Sequence, residues 1–154
     1  MSNLSKQQAI EAATQYLSEN TQGYFVTLNT ITTDLTHFNR QLSQIATWLN
    51  EYCYGSRFRR HGVRLKIVTL PEIGLLNEGL HAHLVITYSS EMNRSHQEIN
   101  AFIRHKWYRL IGASGSVFGK LVDVQPLIDL EAAVNYSLKD FNKYSRDELK
   151  VTFL

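Results

Sequence analysis

Two histidines separated by one residue stand in the run Gly79-Leu80-His81-Ala82-His83-Leu84-Val85-Ile86. In an extended strand alternate side chains share a face. His81 and His83 therefore point the same way, with Val85 and Thr87, while Leu80, Ala82, Leu84, Ile86 and Tyr88 make the apolar face suited to a core. On the preceding candidate strand Arg64, Lys66, Val68, Leu70 and Glu72 share a parity, so an antiparallel hairpin in suitable register would bring the Glu72 carboxylate to the histidine pair. Imidazole and carboxylate donors without thiolate suit Mn2+ or Mg2+ better than a structural zinc cage, and they leave positions open for water and a phosphate oxygen. Such a cation acts as a Lewis acid on phosphate. A His-x-His pair taken alone equally describes two ordinary histidines on a half-exposed strand.

A second group lies near the C-terminus. At 3.6 residues per turn Leu130, Val134, Ser137, Leu138 and Phe141 fall in one sector, whereas Tyr136, Lys139 and Lys143 project from the opposite one. A phenol ordinarily titrates near pH ~10, so it becomes a useful nucleophile only where a cation or base stabilises the phenolate. Lys139, one turn from Tyr136, could do this, or it could balance charge on a reacting phosphate; the residues leave both roles open. The plain alternative is a partly exposed surface tyrosine. Tyr144 falls nearer the apolar sector and reads as packing, and Asp140 as a solvated charge.

The elements that must position these groups follow from periodicity. Ser5 to Glu19 predicts a helix, Tyr24 to Thr30 a strand, and Asp34 caps a helix with Leu35, Phe38, Leu42, Ile45, Leu49 and Tyr52 on one stripe, ending before Gly55. Val63 to Leu70 and Leu80 to Tyr88 predict an antiparallel hairpin. Ser95 with Glu98 makes a capping box for a helix carrying Ile99, Phe102, Ile103 and Leu110. Val117 to Val124 predicts a strand, and Asp129 to about Tyr144 a last helix. Pro71 and Pro126 each stand where a strand could stop. This order contains a βαββαβ, ferredoxin-like core: an α+β fold with an antiparallel sheet, helices on one face, an open active-site face, and extra N- and C-terminal helices.

Composition narrows the setting. The 154 residues, 44% apolar and without repeats or a Pro-rich linker, suit one domain spanning 1–154. No apolar run could cross a bilayer, and a polar N-terminus with Glu11 and Glu19 is unlike a secretory signal, so an intracellular, cytoplasmic protein without a membrane partner is expected. The lone Cys53 has no disulfide partner and suits a reducing compartment. A formal charge of +2 demands no nucleic-acid partner, but Arg57, Arg59, Arg60, Arg64 and Lys66 lie within ten residues, interleaved with Tyr52, Tyr54, Phe58 and His61. That mix suits phosphates and stacked bases, and equally a solvated loop.

Together these segments resemble the HUH endonucleases, in the single-tyrosine branch of rolling-circle replication initiators (Rep proteins) of plasmids, phages and small single-stranded DNA viruses. The likeness spans most of the chain. Its first motif is Tyr24-Phe25-Val26-Thr27-Leu28-Asn29-Thr30, its metal motif the His81 run above, and its catalytic motif Asn135-Tyr136-Ser137-Leu138-Lys139-Asp140. The resemblance implies that Tyr136 attacks a phosphate of single-stranded DNA at a replication origin, whether the strand is open or folded as a hairpin. It leaves a 5′-phosphotyrosine link and a free 3′-hydroxyl, in a reaction that also runs backwards. The family's acidic ligand usually lies a little closer to the histidines than Glu72 does; Glu78 is available in the turn, but strand parity favours Glu72. The first motif lacks the proline of viral relatives and is expected to shape the sheet rather than to catalyse. No Gly-x-x-x-x-Gly-Lys-Ser/Thr loop occurs, so a host helicase would be recruited, or the chain is one domain of a longer protein. The rivals are a single-tyrosine transposase of the same superfamily, cutting as an obligate dimer, and a non-catalytic ferredoxin-like module that binds DNA or RNA.

Overall fold

A computed structural model describes residues 5–20, 22–73, 79–112, 121–141 and 151–154. Ser5 caps α1 (Lys6–Leu17) in a full capping box with Gln8, and Asp34 caps α2 (Leu35–Tyr54) by accepting from the His37 N–H. Between them runs β1 (Gln22–Asn29). A short α3 (Ser56–His61) leads to β2 (Lys66–Ile73) and β3 (Leu80–Tyr88). The Ser95–Glu98 capping box forms as expected and opens α4 (His96–Ile111), which Gly112 closes in the left-handed region at φ 67°. Then follow β4 (Val122–Pro126), α5 (Leu130–Ser137, capped by Asp129) and β5 (Thr152–Phe153).

Among the described residues the strands form one sheet in the order β4-β1-β3-β2-β5, and every pairing is antiparallel. The β1-α2-β2-β3-α4-β4 segment with strand order 4-1-3-2 is the ferredoxin-like core of an α+β fold. Helices α2 and α4 cover one face. Phe38, Leu42, Ile45 and Leu49 with Ile99, Ile103 and Trp107 meet Val26, Leu28, Ala82, Leu84 and Ile86 there. Trp107 is wholly buried and its indole N–H donates to the Asn29 carbonyl at 2.8 Å, so the largest core side chain also satisfies its one polar atom.

The terminal helices lie on the other face. Ala9, Ala13 and Leu17 of α1 and Val134 of α5, with Leu138 just beyond it, pack on Val68 and Val85. That face is thus open only beyond this second, smaller core, toward the His81 end of β3. A close approach fixes that end: a Cβ on Gly79 would fall 1.9 Å from the Thr30 carbonyl oxygen, and the backbone there bonds Leu80 N–H to Thr32 O and Thr30 N–H to Leu80 O.

Several boundaries differ from expectation. β2 begins and ends three residues later than predicted, with Pro71 inside it opposite Ala82 rather than at its stop. Proline is tolerated because β5 pairs only with Val68 and Thr69, so the outer edge of β2 at Pro71 needs no N–H from it among the described residues. The predicted strand from Val117 is observed over Val122–Pro126, with 113–120 outside the described residues. The last helix stops at Ser137 instead of about Tyr144, giving way to a tighter turn in which the Lys139 N–H bonds the Tyr136 carbonyl three residues back. Lys143, Tyr144 and Glu78 lie outside the described residues.

Candidate metal centre and its tyrosine

The hairpin register brings the Glu72 carboxylate to the histidine pair. Glu72 stands directly opposite His81, and His83 lies two residues further along β3 on the same face. His81 Nε2 is 2.7 Å and His83 Nε2 3.7 Å from one oxygen, Oε2, of Glu72. One ligand atom from each of the three residues falls within 4.8 Å of the others, the spacing a single cation requires. Glu72 and His83 are buried, while His81 keeps 24% of its side chain exposed, so the group is reached from the His81 side.

Two buried atoms in this group have no hydrogen-bond partner: His83 Nε2 and Glu72 Oε1. Buried polar atoms are rarely left so, and an imidazole nitrogen beside a carboxylate oxygen is a pair that a divalent cation would satisfy. The donor set therefore fits a bound metal ion. Protonation agrees with this. Burial pushes the His83 imidazole down to about 4, against the attraction of Glu72, so the ring is neutral near pH 7 and keeps a lone pair. Burial opposes the Glu72 charge, but the His81 hydrogen bond and the attraction of His83, His81 and Lys139 prevail, holding the carboxyl below its ordinary value.

Around His83 the side chains are aromatic. Phe25 stacks on its ring with centroids 5.4 Å apart, and Tyr136 meets it edge-on at 5.2 Å. Tyr136, in the last turn of α5, remains 50% exposed. The Lys139 ammonium sits 4.0 Å from the centroid of the Tyr136 ring. Burial works against the lysine charge, yet its polar contact with Tyr136 and the attraction of Glu72 and Asp140 outweigh this and raise its pKa. The Lys6 ammonium donates to the Lys139 carbonyl at 3.0 Å, tying the start of α1 to this turn.

The structure thus brings together Glu72, His81, His83, Tyr136 and Lys139. It does not bring the basic segment to them. Lys66 lies six residues from Glu72 on β2, about 20 Å away at strand rise, and α3 with Arg57, Arg59 and Arg60 precedes that far end. Arg57 pairs with Glu91, Lys66 with Glu19, and Arg59 with Glu51 at 2.7 Å, while the Arg64 guanidinium sits 5.4 Å from the Phe58 ring centroid and Arg60 is exposed.

Sequence reading missed two neighbours of the centre, Phe25 and Thr27, whose Oγ1 lies 3.1 Å from His83 Nδ1. Their shared parity on β1 was the available signal, but only the register, Thr27 opposite His83, assigns them to this face. No family model matches the chain, nor does any curated protein or solved structure. No helix among the described residues is long and apolar enough to cross a membrane.

Proposed function

We propose that this protein is a metal-dependent enzyme that nicks and rejoins single-stranded DNA through Tyr136, in the manner of an HUH replication initiator. The observation that carries the reading is the meeting of two independent groups. The Glu72, His81 and His83 cluster comes from a hairpin and the Tyr136–Lys139 pair from the end of α5, yet the Tyr136 ring lies against that of His83. Neither group is specific alone, and a purely structural histidine pair gives no reason for a half-exposed tyrosine and a cation beside it.

A divalent ion held by Glu72, His81 and His83, Mn2+ or Mg2+ by donor type, would polarise a phosphate oxygen. The chain does the rest. The Tyr136 oxygen forms the new bond to phosphorus as the bond from phosphorus to the 3′-oxygen breaks; the phenolic proton goes to solvent and the departing oxygen takes one up as a 3′-hydroxyl. The 5′-phosphotyrosine link keeps the energy of the broken ester, so the 3′-hydroxyl can reverse the step. Lys139 stabilises either the phenolate or the charge on the phosphate. The partner is single-stranded DNA at a replication origin, with strand separation left to a host helicase. Arg57, Arg59, Arg60, Arg64 and Lys66 would serve the flanking DNA rather than the reacting phosphate, as their distance from the centre requires.

The test is incubation with Mn2+ and a randomised pool of single-stranded oligonucleotides, followed by denaturing gels and mass spectrometry. A covalent adduct on Tyr136, absent in Tyr136→Phe, is expected. Binding without any adduct under Mn2+ or Mg2+ would favour a non-catalytic nucleic-acid module, and cleavage only by a dimer would favour a transposase.

A further inference from the structure

A neutral imidazole carries one N–H, and which nitrogen bears it is set by what the other one meets. In His83, Nε2 lies 3.7 Å from the Glu72 carboxylate without a hydrogen bond, while Nδ1 lies 3.1 Å from the hydroxyl oxygen of Thr27. Thr27 stands directly opposite His83 on β1, and Phe25, two residues earlier on the same strand, stacks on the ring at 19°. The ring is therefore held by its face and by one nitrogen, with the second nitrogen turned toward Glu72.

For Nε2 to give its lone pair to a cation, the ring proton must reside on Nδ1, and the Thr27 oxygen is in place to accept it. We propose that Thr27 is a positioning residue of the cation centre, its hydroxyl fixing His83 as the tautomer protonated on Nδ1 when a divalent ion is bound. This rests on the reading of Glu72, His81 and His83 as cation ligands. A hydroxyl both donates and accepts, so Thr27 also suits the cation-free ring, in which it donates to Nδ1 and the N–H on Nε2 faces the carboxylate. Loading then moves one ring proton from Nε2 to Nδ1 by exchange with solvent, and the imidazole stays neutral throughout.

Valine has the shape of threonine without the oxygen, so Thr27→Val keeps a β-branched strand residue and leaves the Nδ1–H of the loaded state unpartnered in the interior. Partners of this kind are worth about 10- to 100-fold in metal affinity. Calorimetric titration of Mn2+ into the full chain should show a loss of that size in Thr27→Val and recovery of most of the affinity in Thr27→Ser, with cation-free thermal unfolding confirming that both variants fold. Nitrogen NMR of the His83 ring should show its proton pass from Nε2 to Nδ1 when diamagnetic Mg2+ is added to the wild type. Unchanged Mn2+ affinity in Thr27→Val, or a Thr27→Ser as weak as the valine, would overturn the inference and leave the cation centre standing. A wild-type protein that takes up neither ion would overturn both.

Discussion

The two faces of β3 are built from the same nine residues and serve opposite ends. One face, Leu80, Ala82, Leu84 and Ile86, lies under α2 and α4 in an apolar core that leaves nothing for a ligand to touch. The other, His81, His83, Val85 and Thr87, packs Val85 into the second core against α1 and α5, and toward its His81 end two buried polar atoms go unpartnered. A strand anchored by one face can hold unsatisfied groups rigidly on its other face, because their cost is carried by the core behind them.

That contrast can be broken in four ways. On the core face, Trp107→Ala removes the largest buried side chain and its hydrogen bond to Asn29, and should cost about 3–5 kcal/mol in urea unfolding. If it costs no more than a surface change, the α2–α4 core is not what anchors β3. On the other face, Mn2+ at about a hundred times its Kd should stabilise the protein by about 2.7 kcal/mol, read as a raised Tm, and the rise should vanish in Glu72→Gln. An equal rise in that variant would place the ion elsewhere.

Acid should act on the same face. The folded-state pKa of His83 lies at about 4, below its ordinary 6.5, so its contribution is complete above about 6.5 and is lost as pH falls toward 4. Metal-free protein should lose on the order of 2 kcal/mol over that window, and His83→Leu should lose less. Glu72, also held below its ordinary value, adds a loss at the acid end of the window. A wild-type stability flat from pH 6.5 to 4 would mean that His83 is not buried as a neutral ring. The smallest effect is expected at Tyr136, whose side chain is half exposed: Tyr136→Phe should change stability by less than about 0.5 kcal/mol while abolishing the covalent adduct. A large loss of stability would make the tyrosine a packing residue.

How much of this was legible depended on how local the cause was. The Asp34 cap and the Ser95–Glu98 capping box are contacts within three residues, and each formed where the sequence places it; Ser5 and Asp129 cap their helices in the same local way. β3 ran from Leu80 to Tyr88 as its alternation predicts. α3 went unread because no side chain in Ser56–His61 is buried, so it has no apolar stripe; Gly62, at φ 65°, closes it by donating to the Arg57 carbonyl. α5 was read too long because Phe141 still packs on the second core after the helix has ended, so apolar spacing outlasts helical geometry. Two-residue β5 exists only through its pairing with Val68 and Thr69.

By itself the sequence determined the order of the longer elements, the caps at Asp34 and Ser95, and the parity that puts His81 with His83 and Glu72 with Lys66, since these follow from dihedral preference and the period of two along a strand. Tertiary structure alone decided that Glu72 faces His81, that Thr27 reaches His83, that Tyr136 and Lys139 come to the histidines, and that the arginines of α3 do not. Parity tells which way a side chain points. Register and helix packing, set by the summed burial of two cores, decide what stands in front of it.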